Sequence, residues 1–403
     1  MRVAIIGGGA AGFFSAINVK KNHPNSSVTI FEKSNKTLSK VKISGGGRCN
    51  VTSGCFSINE LCKAYPRGGK QLKKAFHIFN TKDTFEWFEN RGVPLYVQED
   101  LRVFPKSNSS SSIIACLEKE IYKLKIEIVL GSPIIAIKEK NELLELTIKS
   151  EQKKELYSHV IIASGGSPKI EGLKWLERLN HEIIPPVPSL FTFNMPNEQI
   201  TKLMGISLKN VIVKIEGTKL KSSGPLLITH WGMSGPAILK LSSLGARSLN
   251  ELEYNFKIQL NWVNQTNNSI VEKALKECAL KNPNKKVSST KFNYIPERLW
   301  IYLINKSEIS NSKKWNELGK KPVNKLINQL TNDIYSIKGK TTFKEEFVTC
   351  GGVSLESIDL KTMQSKSIKN LYFAGEVLDI DAITGGYNFQ AAWTTGYIAG
   401  KLN

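Results

Sequence analysis

Three observations predict an α/β fold. The apolar stretch Arg2–Ile6 runs into Gly7-Gly8-Gly9-Ala10-Ala11-Gly12 and then into a helix-like stretch to Lys21. A second apolar run, Val28–Phe31, ends on an acid, Glu32, 20 residues after Gly12. Two further buried-type strands that end near glycines, His159–Ala163 and Leu371–Ala374, come much later in the chain. Short, continuously apolar runs of this kind suit parallel strands covered on both faces by crossover helices.

The first βαβ unit assigns each glycine a task. Gly7 allows the tight turn off the strand, Gly9 lets a pyrophosphate approach the backbone, and Gly12 lets the helix pack close to the sheet. Ala10 and Ala11 open that helix, whose N-terminal amides face the anion. Glu32 stands at the spacing where an acid accepts hydrogen bonds from a free ribose 2′-OH, and it would repel a 2′-phosphate. FAD or NAD is therefore expected rather than NADP, with Lys33, next to the acid, also expected to contact the cofactor.

Composition sets the outer limits. The 403 residues are 41% hydrophobic and 23% charged, ordinary globular values for a chain long enough for two or three domains. No stretch approaches the roughly eighteen apolar residues of a membrane span. Glycine interrupts the first apolar stretch after five residues, too early for a secretory signal, so a cytosolic protein is expected. The six cysteines, Cys49, Cys55, Cys62, Cys116, Cys278 and Cys350, include no CxxC. They form no Cys/His cluster at metal spacing, which counts against a zinc site or a dithiol reductase.

Net charge is +21 and is unevenly placed. Residues 1–189 carry 28 basic and 18 acidic side chains, residues 190–345 carry 24 and 11, and residues 346–403 carry 4 and 6. An excess of that size attracts a polyanion, either nucleic acid or an anionic membrane surface. Compositional drift toward lysine is the alternative.

After Glu32, Lys33–Lys42 reads as a polar linker, with Lys40 in it expected to contact the cofactor. Ser44-Gly45-Gly46-Gly47-Arg48-Cys49-Asn50 follows. Its three glycines let backbone amides approach a planar or anionic group, and Arg48 and Asn50 add donors. Lys70–Asn90 reads as one amphipathic helix whose aromatics are core. A helix from Ile113 to about Lys123 precedes strands at Ile126–Leu130, Ile134–Glu139 and Leu143–Lys149, read as a small sheet. The strand His159–Ala163 brings Ser164 and Gly165 to a cofactor edge. Pro185-Pro186-Val187-Pro188 makes a stiff exit, and domain boundaries are placed at 189/190 and 345/346.

In the middle segment, Thr229-His230-Trp231-Gly232-Met233-Ser234-Gly235-Pro236 makes a tight turn into a helix. His230 on that turn is either a structural histidine or an acid. Residues from about 265 to 328 read as three lysine-rich helical pieces. Near the end, the strand at Leu371 runs into Gly375-Glu376-Val377-Leu378-Asp379, and Thr384-Gly385-Gly386-Tyr387-Asn388 opens a helix. That N-terminus suits the electron-rich edge of a reduced flavin. Ala392, Gly396 and Ala399 share one face and predict close packing on the sheet. Cofactor contacts from both ends of the chain favour FAD over NAD. With no second GxGxxG, NADPH or NADH is expected as a transient electron donor.

The motifs Ser44–Asn50, Arg102–Ser107, Thr229–Pro236, Gly375–Asp379 and Thr384–Asn388 together resemble the BaiN/RdsA-type NAD(P)/FAD-dependent oxidoreductases, over essentially the whole chain. The resemblance implies a glutathione-reductase-like FAD domain built from both chain ends and interrupted by a β-barrel with a small helical part. It also implies reduction of an activated C=C, with uridine of large-subunit ribosomal RNA as the specific expectation. The hydride would arrive at C6 and a proton at C5, from His230 first or Cys49 next. A small-molecule ene-reductase or amine oxidase is the alternative, and a non-catalytic flavin-bound RNA-binding factor the second. Leu101 and Ala382 stand where the family usually has glycine, and Lys169–Trp175 replaces its glycine-rich stretch. Oligomeric state is not indicated.

Overall fold

Arg2–Ile6 is the middle one of the five parallel strands of the first sheet because its side chains from Val3 onward are apolar on both faces. In the computed structural model, which describes residues 1–149, 153–342 and 348–403, it lies between Ser27–Phe31 and His159–Ile162 and is parallel to both. Leu371–Phe373 runs parallel to His159–Ile162, and Glu127–Val129 parallel to Ser27–Phe31. Two short antiparallel strands, Ile358–Asp359 and Gln364–Ser365, complete seven. The parallel strands thus present their carboxyl ends at one edge, the edge where open α/β sheets bind ligands.

The chain divides into two units, Met1–Ser189 with 348–403, and Leu190–Thr342, each with its own apolar core. The expected boundary at 345/346 lies outside the described residues.

Several expectations are corrected. Lys70–Asn90 is expected as one amphipathic helix, yet there are two helices, Gly69–Ile78 and Thr81–Glu89, separated where the apolar side chains stop between Phe79 and Phe85. Asn80 starts the second, its side chain accepting from the Lys82 amide at 2.9 Å while Asp83 accepts from its own amide at 2.7 Å. Glu127–Val129 belongs to the large sheet, and Lys154–Tyr157 instead completes a three-stranded sheet with Ile134–Lys140 and Leu143–Ile148. The linker after Lys33 is helical from Ser39. The small face of helix Tyr387–Ala399 meets helix Ala10–Asn22 rather than the sheet: a Cβ on Gly396 would lie 2.9 Å from the Ala11 carbonyl oxygen.

In the second unit seven strands follow the order Asp333–Lys338, Asn255–Asn261, Ser207–Ile215, Lys221–Ile228, Gly232–Ser234, Thr192–Asn194, Lys340–Thr341. The two end strands are consecutive in the chain and share Gly339, whose N–H donates to Tyr254 O at 2.9 Å and whose carbonyl accepts from Asn194 N–H at 3.2 Å. A sheet whose ends meet at one glycine is curled into a barrel. Helices Asn268–Lys281, Glu297–Lys306 and Lys320–Thr331 form the helical part. Among the described residues no helix is long and apolar enough to cross a membrane.

One buried histidine makes stability depend on pH. His181 bonds Ser365 Oγ through Nε2 at 2.8 Å and packs on Phe373, and burial pushes its imidazole below its ordinary value. The unfolded chain therefore binds this proton more readily, so stability is full above the unfolded value of about 6.5 and falls as pH drops below it. A His181→Asn protein is expected to show a shallower loss of melting temperature between about pH 6.5 and 5. An unchanged slope would assign the acid sensitivity to other groups.

Candidate active site

The strand-to-helix turn after Ile6 is close-packed on one side and open on the other. Gly7, at φ +116°, donates its N–H to Phe31 O at 2.8 Å, and a Cβ there would lie 2.3 Å from Ala163 O. A Cβ on Gly12 would lie 1.9 Å from Gly7 O, whereas one on Gly9 would meet nothing within 4 Å. Helix Ala10–Asn22 begins at Gly9 with no side-chain cap and no acid in its first turn, leaving amides and the positive end of the dipole for an anion. The Glu32 carboxylate accepts from Gly8 N–H at 2.7 Å on one oxygen and from Ser34 N–H at 2.9 Å and Ser34 Oγ at 2.8 Å on the other, which orients it beside the glycine turn and leaves acceptor capacity on the oxygen that faces Gly8. Lys33 is exposed next to it.

The second glycine loop leaves helical geometry at Ser44. Gly45 is pressed against Phe104, with a Cβ position 2.8 Å from the ring, while Gly46 and Gly47 open onto empty space, all three at positive φ. Arg48 donates Nε to Gly45 O at 3.2 Å and lays its guanidinium 4.1 Å from the centre of the Phe104 ring. Lys40 pairs with Glu376 at 2.7 Å, and Glu376 also accepts from Thr349 N–H at 2.9 Å. The N-terminus of helix Tyr387–Ala399 closes on this loop: a Cβ on Gly386 would lie 2.2 Å from Thr52 O and 2.9 Å from Asn50 Oδ1. Gly385, before it, is also at positive φ. Gly375 sits 2.7 Å, Cβ position to Cβ, from Ala11. Beyond Ala163, Ser164 leads into Gly165, at φ +74° with open space beside it.

Some expected contacts have other partners. Asn388 holds the Ala382 backbone with both ends of its amide, at 3.0 and 3.2 Å, so it shapes the loop before the helix. The Tyr387 carbonyl accepts from Tyr65 OH at 2.6 Å, and burial raises the Tyr387 phenol. Cys49 is wholly buried and its thiol is pushed up to about 12 by burial, so it presents no surface to a substrate carbon. His230 lies in the barrel unit, exposed on its turn and edge-on to Trp231 at 4.3 Å.

A buried ion pair, and a cavity that one of its members lines, carry no signal in the sequence. Arg67 donates Nε to Asp381 Oδ1 at 2.6 Å and bridges the second carboxylate oxygen, which also accepts from Ser189 Oγ at 2.7 Å. Burial pushes the Asp381 carboxyl up against the pull of Arg67. A cavity of about 590 Å³ is lined by Lys63, Tyr65, Arg67, Lys70, Gln71 and Asp379, among others. The spacing between partners, 314 positions, offers no local signal.

These residues fit a long dinucleotide. Open space flanks Gly9, Gly46, Gly47 and Gly165, an uncapped helix end faces the first turn, and an oriented acid stands at ribose spacing, so FAD has a place for each of its parts.

Comparison with known proteins agrees. The family described as "HI0933-like protein Rossmann domain" matches residues 1–402. The chain is 28% identical over 408 residues to the ribosomal RNA dihydrouridine synthase of Haemophilus influenzae, covering 98% of this chain and 96% of that one. It is 26% identical over 408 residues to the 3-dehydro-bile acid delta(4,6)-reductase of Clostridium scindens, covering 99% and 98%. In fold it resembles the 3-ketosteroid delta1-dehydrogenase of Sterolibacterium denitrificans, with a TM-score of 0.50 at 12% identity over 99% of this chain and 98% of that one. The FrdA subunit of Escherichia coli quinol fumarate reductase gives 0.50 at 14% identity, covering 100% and 69%. The chain therefore belongs to the HI0933-like family, as an oxidoreductase built on an FAD-binding Rossmann domain.

Proposed function

We propose that the chain reduces an activated carbon–carbon double bond at the expense of NADPH or NADH, and that this bond is the 5,6 bond of a uridine in large-subunit ribosomal RNA. The observation that carries the RNA half is charge: residues 190–345 hold 24 basic against 11 acidic side chains. A family that includes rRNA dihydrouridine synthases supports the reaction. FAD, when bound, supplies the hydride. Glu32 would hold the adenosine ribose, the amides at Gly9–Ala11 the pyrophosphate, and Gly45–Arg48 with Gly385–Gly386 the ring end, where the helix terminus stabilises negative charge. The barrel unit would bind phosphates, and a uridine inside folded RNA must be unstacked at a cost of roughly a few kcal/mol. His230 would protonate C5.

The test is anaerobic. Protein reduced with NADPH or NADH is mixed with ribosomal RNA from cells lacking it, flavin reoxidation is followed, and dihydrouridine is measured by mass spectrometry. Reoxidation with stoichiometric dihydrouridine is expected. A His230→Ala protein is expected to turn over about 10²- to 10⁴-fold more slowly, the usual worth of a positioned acid; full turnover would remove His230 from the mechanism.

The cavity beside Arg67 favours one second reading, a small-molecule acceptor, since its volume lies in the range of such sites. Reoxidation by small enones but not by RNA would establish it.

A further inference from the structure

The excess charge of the second unit is spread over many lysines, but in one place the backbone fixes them together. Segments 283–289 and 310–317 run antiparallel, bridged at Lys286 and Lys314. Val287 N–H donates to Lys313 O at 2.9 Å, Trp315 N–H to Lys285 O at 3.2 Å, and Asn316 N–H to Pro283 O at 3.0 Å. Val287 and Trp315 point into the core, where Trp300 Nε1 bonds the Val287 carbonyl at 2.9 Å and Trp315 Nε1 bonds Thr290 at 2.9 Å. Side chains alternate across such a bridge, so Lys286 and Lys314 stand directly opposite each other on the outward face. Lys285 and Lys313 are exposed at its two ends.

Like charges placed opposite each other in this way destabilise a bridge. Elsewhere in the helical part carboxylates offset lysines: Lys276 pairs with Glu272, and Lys325 with Glu308. On the bridge only Lys313 has such a partner, Glu317 at 3.9 Å, and among the described residues Lys285, Lys286 and Lys314 have none. The chain then enters helix Lys320–Thr331 with Lys320 and Lys321 at its positive end and no acid in the first turn. No large apolar side chain is exposed in either segment. A membrane-seeking surface interleaves lysines with such residues. Here the neighbours are Asn284, Ser288, Asn311, Ser312 and Asn316, side chains that donate to phosphate and sugar oxygens.

We infer that the bridged lysine segments at 285–286 and 313–314 are a preformed phosphate-contacting surface for RNA. The inference rests on the RNA reading above and locates its electrostatic contact. The held backbone fixes the lysine Cα positions before binding, so the ordering left for association is that of the side chains.

The test uses the full-length, FAD-loaded protein and a variant carrying Lys285→Gln, Lys286→Gln, Lys313→Gln and Lys314→Gln. Affinity for large-subunit ribosomal RNA is measured from 50 to 200 mM salt, with Lys276→Gln/Lys325→Gln as control and phosphatidylserine vesicles as a second probe. Four lost single-strand phosphate contacts are expected to make the log–log salt slope shallower by about 3, so that the variant loses about 50-fold less affinity across that range than the parent. Flavin content, oxidation of NADPH by oxygen and the control's slope should not change. An unchanged slope, an equal change in the control, or a change confined to vesicle binding overturns the inference. If RNA binds through these lysines but yields no dihydrouridine, the surface stands and the proposed reaction falls; if uridine is reduced with an unchanged slope, the reverse holds.

Discussion

An Arg67→Met protein is expected to lose about 3–5 kcal/mol of stability, because the substitution leaves a carboxylate buried without its cation. The Asp381 side chain is 0% exposed and that of Arg67 15%, so solvent cannot replace the guanidinium. The Ser189 hydroxyl at 2.7 Å is then the remaining donor to a carboxyl already raised by burial. Without Arg67 that value rises further and the folded state takes up a proton that the unfolded state does not. Stability of the variant should therefore decrease as pH rises above the unfolded carboxylate value of about 3.9, steepening the difference from the parent toward neutral pH. Replacing both partners, Arg67→Met with Asp381→Leu, should recover most of the loss, since an apolar pair of similar volume suits a buried site. Urea unfolding of the two single variants and the double variant at pH 5 and 8 decides the matter. Equal stability of Arg67→Met and the parent at pH 8 would show that the pair contributes nothing. The Arg67→Met variant also probes the cavity, because Arg67 lines it.

What is legible in the sequence is what is local. The glycine turn, its helix and Glu32 can be read because each residue's task depends on neighbours within one βαβ unit, where spacing along the chain sets spacing in the fold. Leu101 is readable in the same way. The family resemblance leads one to expect glycine there, and the Leu101 φ of +66° is the left-handed backbone that glycine adopts freely. The break at Asn80 has a local mark too: the polar run Asn80–Thr84 interrupts the apolar side chains, and Asn80 with Asp83 supplies the capping pair that starts the second helix. The partition of strands among sheets is not local at all. Glu127–Val129 and Ile134–Lys140 have similar composition, and what sends one to the large sheet is the free edge of Ser27–Phe31. Arg67 and Asp381 fail for the same reason, as does Asn388, whose amide looks suited to a cofactor but is held by the backbone of Ala382 six residues earlier. Bridged lysines such as Lys286 and Lys314 look like any other charges until the backbone brings them together.

Two substitutions in one turn separate folding from cofactor binding, and they should behave in opposite ways. Gly12→Ala places a methyl group at a point 1.9 Å from the Gly7 carbonyl oxygen and 3.4 Å from Ile5 Cγ2. Both oxygen and helix are backbone, so no rotamer change relieves the overlap; the helix must move off the strand or the turn must open. Such overpacking typically costs about 1–3 kcal/mol, and because it distorts the turn itself, FAD retention should fall with it. Gly9→Ala is the contrasting case. Its φ of −93° is open to any residue and its Cβ would meet nothing within 4 Å, so the protein stripped of flavin should melt within about 0.5 kcal/mol of the parent, as surface substitutions do. If a pyrophosphate occupies that open space, the added methyl collides with the cofactor alone, and FAD should bind at least about tenfold more weakly, a penalty of about 1.4 kcal/mol. Melting of the stripped proteins and FAD titration by flavin fluorescence give the two readouts separately. A Gly9→Ala protein that binds FAD as tightly as the parent would place the pyrophosphate elsewhere. With the first helix then lacking its anion, Glu32 would lose the reason for being oriented by Gly8 and Ser34 beside the same turn.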